Sequence, residues 1–136
     1  MEEGLIRVTP DRVKAKSILK MVETSLEMVR TIDENKFPSN VAKEYYDIIR
    51  ELASIILLLD GYKTFGEGAH KKTIEYLGKN YRQFSTQEIA VMDELRIIRN
   101  RISYDGFFVQ PDYIKRKRQA IEGIIRKLIE TVNSKP

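Results

Sequence analysis

Residues Val41 to Leu59 read VAKEYYDIIRELASIILLL, and this stretch decides the fold class. Val41, Tyr45, Ile48, Ile49, Leu52, Ile55, Ile56 and Leu59 recur at spacings of three and four, the period of an α-helix. Tyr46, Ala53, Leu57 and Leu58 widen the stripe. A helix that is apolar over most of its circumference must be covered on several sides. This one is therefore expected at the centre of a helical bundle. Phe37-Pro38-Ser39-Asn40 precedes it as a turn and cap, and Gly61 follows as a stop.

Before this helix, Thr9-Pro10-Asp11 reads as a helix start, with Thr9 as the cap and Pro10 in the first turn. Ala15, Ile18, Leu19, Val22, Leu26 and Val29 form its stripe, which ends between Ile32 and Asn35. After the central helix, Tyr62 to Ala69 holds two glycines and reads as a loop. A short helix is expected from His70 to Leu77, ended by Gly78. Ser85-Thr86-Gln87-Glu88 has the form of a capping box. It opens a helix with the stripe Val91, Met92, Leu95, Ile98 and Ile102, ended by Asp105-Gly106. Gln110-Pro111-Asp112 opens the last helix, whose stripe is Ile114, Ile121, Ile124, Ile125, Leu128 and Val132. No alternating strand pattern is present, and Phe107-Phe108-Val109 is too short to count as one. The expectation is an all-α, antiparallel up-and-down bundle of four long helices plus a short one, a single domain over residues 1–136.

Composition narrows the chemistry. The absence of cysteine excludes disulfides, thiol nucleophiles and thiolate metal sites, and fits a reducing compartment. The only histidine is His70, and no carboxylate cluster joins it at helical spacing, so neither a metal site nor a cofactor is expected. Met1-Glu2-Glu3-Gly4 carries acid where a secretory signal carries base. Ile55 to Leu59 is far too short to span a bilayer. No membrane association and a cytoplasmic location are expected. The 24 Lys+Arg against 20 Asp+Glu give +4, a mild excess that permits phosphate affinity without requiring it. Lys115-Arg116-Lys117-Arg118 spreads around its helix and reads as a solvated face. No glycine-rich phosphate loop, serine elbow or paired-carboxylate constellation is present.

The most informative polar segment is Arg96-Ile97-Ile98-Arg99-Asn100-Arg101-Ile102-Ser103-Tyr104-Asp105-Gly106. At about 100° per residue, Arg96, Arg99, Asn100 and Ser103 form a polar strip beside the apolar one. Such a strip lines a groove or faces a partner. Read plainly, Arg99 pairs with an acid such as Glu94 or Asp93 in a neighbouring chain or helix, and Asn100 helps to end the helix. Tyr104 is then a packing aromatic with a wet hydroxyl, and His70 is a first-turn or capping residue.

Glu94 to Tyr104 also resembles the signature of the HEPN family, a group of small helical bundles. Many members carry Arg-Asn and then a histidine near the end of a late helix. Arg99-Asn100 matches the first part, and Tyr104 stands at the histidine position. His70, after a glycine-containing loop, matches a histidine that often opens a short third helix. The resemblance runs from about residue 10 to residue 132. It implies a homodimer in which the motif helices meet around Arg96, Arg99, Asn100, Ser103, Tyr104 and His70. It also implies a ligand, nucleotide or RNA, or a minimal nucleotidyltransferase as partner. Members with both Arg and His are often metal-independent ribonucleases. There the arginine holds phosphate and the histidine moves protons near neutral pH.

Tyr104 departs from that pattern. Its ordinary pKa near 10 makes it a poor base at pH 7. On a regular helix, residues five apart sit about 140° apart, so Arg99 and Tyr104 share a face only if the helix unwinds or two chains meet. Three readings follow. The first is a binding or accessory protein with a degenerate motif. The second is a ribonuclease using Arg99 with Tyr104 or His70. The third is a purely structural homodimeric interaction domain.

Overall fold

In the computed structural model, which describes residues 4–136, five helices account for most of the chain. They are α1 (Arg12–Thr31), α2 (Pro38–Asp60), α3 (Ala69–Asn80), α4 (Thr86–Asp105) and α5 (Pro111–Ser134). The acidic start Met1-Glu2-Glu3 lies outside the described residues.

α2 is central because its sequence is apolar over most of its circumference, with one narrow polar edge. It packs against all four other helices. Tyr45, Ile48, Ile49, Leu52, Ile55 and Ile56 are each at most 1 % exposed. Fully burying each aliphatic side chain contributes roughly 1.5–3 kcal/mol, so this helix supplies much of the driving force for folding. Its start is set by Pro38 at the first helical position, where the missing N–H costs nothing. Gly61 ends it in a left-handed conformation, φ 88°. A Cβ at Gly61 would also stand 3.3 Å from the Val8 carbonyl oxygen.

The other apolar stripes face α2. Val22, Leu26 and Val29 of α1 are buried, as are Met92 and Leu95 of α4 and Ile121, Ile124 and Leu128 of α5. Ile98 and Ile102 pack at the edge of the same core. Ser85 accepts a hydrogen bond from the Glu88 N–H, and Glu88 accepts one from the Ser85 N–H, which completes the capping box of α4. Gly106 ends α4 with φ 64°.

Four local features differ from the sequence expectation. Two strands exist: β1 (Leu5–Arg7) and β2 (Tyr62–Thr64) pair antiparallel, with Ile6 opposite Lys63. Three residues are too few to display a period of two. The pairing is imposed from outside, because α1 and α2 pack against each other across a short turn and bring both flanking segments to one end. Second, the cap of α1 is Asp11, whose carboxylate accepts from the Lys14 N–H at 2.9 Å, so Thr9 and Pro10 lie outside the helix. Third, α3 runs through Gly78 to Asn80. Gly78 is not in the positive-φ region and therefore does not stop the helix. Fourth, Ser39 caps nothing at α2; its hydroxyl accepts from the Val109 N–H at 2.8 Å and ties down the α4–α5 connection.

Candidate functional site

α2, α3 and α4 pack pairwise, and basic groups collect where they meet. α4 contributes Arg96 and Arg99, one turn apart. Arg96 lies against Asp93 on its own helix, with Nε 2.8 Å from Oδ1. Arg99 does not pair with Asp93 or Glu94. Its Nε faces Oδ1 of Asp47 on α2 at 3.8 Å. Glu94 is instead the acceptor for the Tyr113 hydroxyl, at 2.6 Å.

Asp47 is shared. The same Oδ1 also stands 3.8 Å from Nε of Arg50, one turn further along α2. Both separations exceed hydrogen-bond length, roughly 2.7–3.2 Å for N–H to O. Arg99 Nε and Asp47 Oδ1 are buried atoms with no hydrogen-bond partner. The site thus holds three guanidinium groups against two carboxylates, Asp47 and Asp93. A guanidinium carries five N–H donors in a fixed fork that suits phosphate and carboxylate. The arrangement leaves much of that donor capacity unspent.

His70, the second residue of α3, belongs to the same neighbourhood. It is exposed on one side. Its pKa is lowered from the ordinary 6.5, first by partial burial and then by Arg50, Arg99 and Arg96, while Asp47 opposes them. The same three arginines act on the Tyr46 hydroxyl. Burial raises its pKa, and the positive charges only partly offset that rise. At pH 7 His70 is therefore neutral, able to accept a proton or a hydrogen bond.

The remaining expected residues fall in two places. Asn100 is half-buried beside the arginines, and Ser103 is exposed. Tyr104 points away: α4 stays helical to Asp105, and Tyr104 is 80 % exposed. It lines up with Ile97, 47 % exposed, two turns earlier on α4, and Phe108, 79 % exposed, lies just beyond the helix end. Arg101 stacks over the Phe107 ring at 4.1 Å. Within one chain, then, Arg96, Arg99, Asn100 and His70 come together, and Tyr104 does not join them.

Asp47 and Arg50 were not singled out by sequence reasoning. Their only signal is that they are oppositely charged residues at i and i+3 on the polar edge of a largely apolar helix. Among the described residues no group of three His, Asp or Glu side chains is placed to hold a metal ion. No helix among them is long and apolar enough to cross a membrane. No family model matches the chain, and no curated protein or solved structure is significantly similar to it.

Proposed function

We propose that this chain is a HEPN-like, homodimeric binding protein whose Arg50–Arg96–Arg99 cluster holds the phosphate of a nucleotide or an RNA end. The observation that carries this reading is the unsatisfied pairing at Asp47. Two guanidinium groups stand 3.8 Å from one carboxylate oxygen and make no hydrogen bond to it. A phosphate that reaches Arg50 and Arg99 gains charge-assisted contacts without displacing a tight native pair at either of them, while Arg96 keeps its 2.8 Å partner Asp93. The Arg99-Asn100 motif supports the same placement. Tyr104, exposed and about 140° round the helix from Arg99, supports a degenerate motif with no proton carrier at the family's histidine position.

The homodimer has its own support. Ile97, Tyr104 and Phe108 are exposed apolar side chains towards and just beyond the end of α4, interspersed with Arg101, and a second copy of α4 packed there would cover them. A minimal nucleotidyltransferase is the alternative occupant of that surface. Both versions belong to a cytoplasmic protein.

A second reading, metal-independent ribonuclease, is favoured by one observation. His70 is neutral and stands beside the phosphate-binding arginines. Cleavage at a 2′-hydroxyl needs a base and an acid, and one chain supplies one such group.

These readings separate by incubating the protein with mixed RNA in the presence of a chelator. Binding without cleavage, lost in Arg99→Ala, supports the first. Cleavage that disappears in both Arg99→Ala and His70→Ala supports the second. If neither RNA nor nucleotide binds, the arginine cluster only fixes structure.

A further inference from the structure

A cavity of about 500 Å³ opens next to the arginine cluster, between α1, α2, β2 and α3. That volume lies within the roughly 300–1,000 Å³ typical of small-molecule sites. Apolar side chains such as Leu58 and the hydroxyls of Thr64 and Thr73 line it together with His70, and Asp11, Lys14 and Lys63 add charge to its wall. His70 is common to the cavity and the cluster. α2 connects the two as well. Asp47, Arg50, Ser54 and Leu58 follow one another at spacings of three and four and share one face. From Arg50 to Leu58 that face covers about 12 Å at 1.5 Å rise per residue. This is the length scale of a nucleoside monophosphate.

We propose that the ligand is a nucleoside monophosphate, with its phosphate on Arg50, Arg96 and Arg99 and its base in the cavity beyond His70. The inference rests on the phosphate-binding reading above. The cavity's hydroxyls say what kind of base fits. Thr73 donates to the Ala69 carbonyl at 3.0 Å, so in its 2.8 Å contact with Thr64 the hydrogen comes from Thr64. Thr64 then has only lone pairs left, and it matches a base that carries an amino group.

Calorimetric titration of the full chain with AMP, IMP, adenosine and inorganic phosphate tests this. AMP is expected to bind at least about tenfold more tightly than adenosine or phosphate alone, because each supplies only half the contacts. Ser54 is exposed, so Ser54→Trp and the smaller Ser54→Leu block the cavity mouth without opening the core. Both are expected to lose AMP binding, Ser54→Trp by about tenfold or more, and to keep phosphate binding. Arg99→Ala is expected to lose both. If both Ser54 variants, folded by their melting curves, bind AMP as the wild type does while Arg99→Ala loses it, the base is not in the cavity. The phosphate reading survives that result. If neither AMP nor phosphate binds the wild type, both fall. IMP binding as tightly as AMP overturns the match between Thr64 and an amino group.

Discussion

Nε of Arg99 on α4 and Oδ1 of Asp47 on α2 face each other at 3.8 Å, both buried and neither hydrogen-bonded. An ion pair held at that distance gives up the short-range part of its attraction and keeps the longer-range Coulomb term. Asp47 therefore works as a local counter-charge that keeps three arginines tolerable in one place. It does not neutralise them.

Asp47→Asn tests that role. The substitution removes the counter-charge and keeps the shape. Anion affinity is expected to rise, because a bound sulfate or phosphate then replaces the missing carboxylate. Stability without ligand is expected to fall by no more than about 1 kcal/mol, since the pair is a third exposed and lacks a hydrogen bond. Thermal melts with and without sulfate measure both. A variant that binds sulfate more weakly than wild type contradicts the idea.

If the arginine cluster binds an anion as proposed, that binding depends on pH through His70. Its folded pKa lies below the ordinary 6.5, so the folded state resists protonation. No stability is lost above pH 6.5. Below it the unfolded chain takes up the proton first, and stability declines as pH falls. A bound anion favours the charged imidazole and raises its pKa. Sulfate, whose charge is constant here, should bind more tightly at about pH 5.5 than at pH 7.5. In His70→Asn this dependence should flatten in binding curves, and in the wild type titration of the His70 ring should show its pKa rise when sulfate is added. An unchanged slope removes His70 from the site.

The end of α2 is held by a second network that should act on stability alone. Asp60 accepts from Tyr76 at 2.7 Å, Tyr81 at 2.5 Å and Lys135 at 2.6 Å. Burial raises the Asp60 pKa, but the hydrogen bonds from Lys135, Tyr81 and Tyr76 outweigh it and hold the value below 3.8. This contribution is present above pH 3.8 and is lost as pH falls further, through the folded value. Asp60→Ala is expected to cost roughly 1–3 kcal/mol by leaving partly buried donors unpaired. Urea unfolding at pH 7 should show that cost, with sulfate binding unaltered. A loss of sulfate binding in a folded Asp60→Ala protein would join this network to the site.

The exposed apolar side chains at the end of α4 predict oligomeric behaviour. Tyr104→Glu and Phe108→Asp place charge on surface that a second copy would cover. Sedimentation at micromolar concentration should show a dimer for wild type and a monomer for both variants. Their melting should be changed little beyond the loss of association, because both side chains are about four-fifths exposed in the single chain. A wild-type monomer ends the shared-cleft version of the proposal.

The parts of the fold legible in sequence were those repeated over many residues. α2 is apolar nearly all round, and such a pattern admits only a buried helix. The capping box at Ser85–Glu88 and the stops at Gly61 and Gly106 were readable because each is a local rule satisfied by adjacent residues. The β1–β2 pair was not readable, since three residues carry no period and the partner is far away in sequence. Half of the candidate site had the same problem. Arg96, Arg99 and Asn100 stand together on one helix and announce themselves. Asp47 and Arg50 look like the wet edge of α2 until α4 is packed against it. His70 joins them only because α3 packs on both helices. The motif also suggested Tyr104 for a cleft shared by two chains; in the single chain the helix stays regular to Asp105 and Tyr104 is exposed.

The most direct test of the phosphate site is titration of a 5′-phosphorylated RNA oligonucleotide into wild type and Arg99→Ala at several salt concentrations. Wild type should bind, with affinity falling linearly on a log–log salt plot. Arg99→Ala should weaken binding by about tenfold or more, the loss of a charged hydrogen-bonded contact. Its salt slope should fall by about 0.7, the value for one phosphate contact on a single strand. An Arg99→Ala protein that binds as tightly as wild type, with the same slope, contradicts the account.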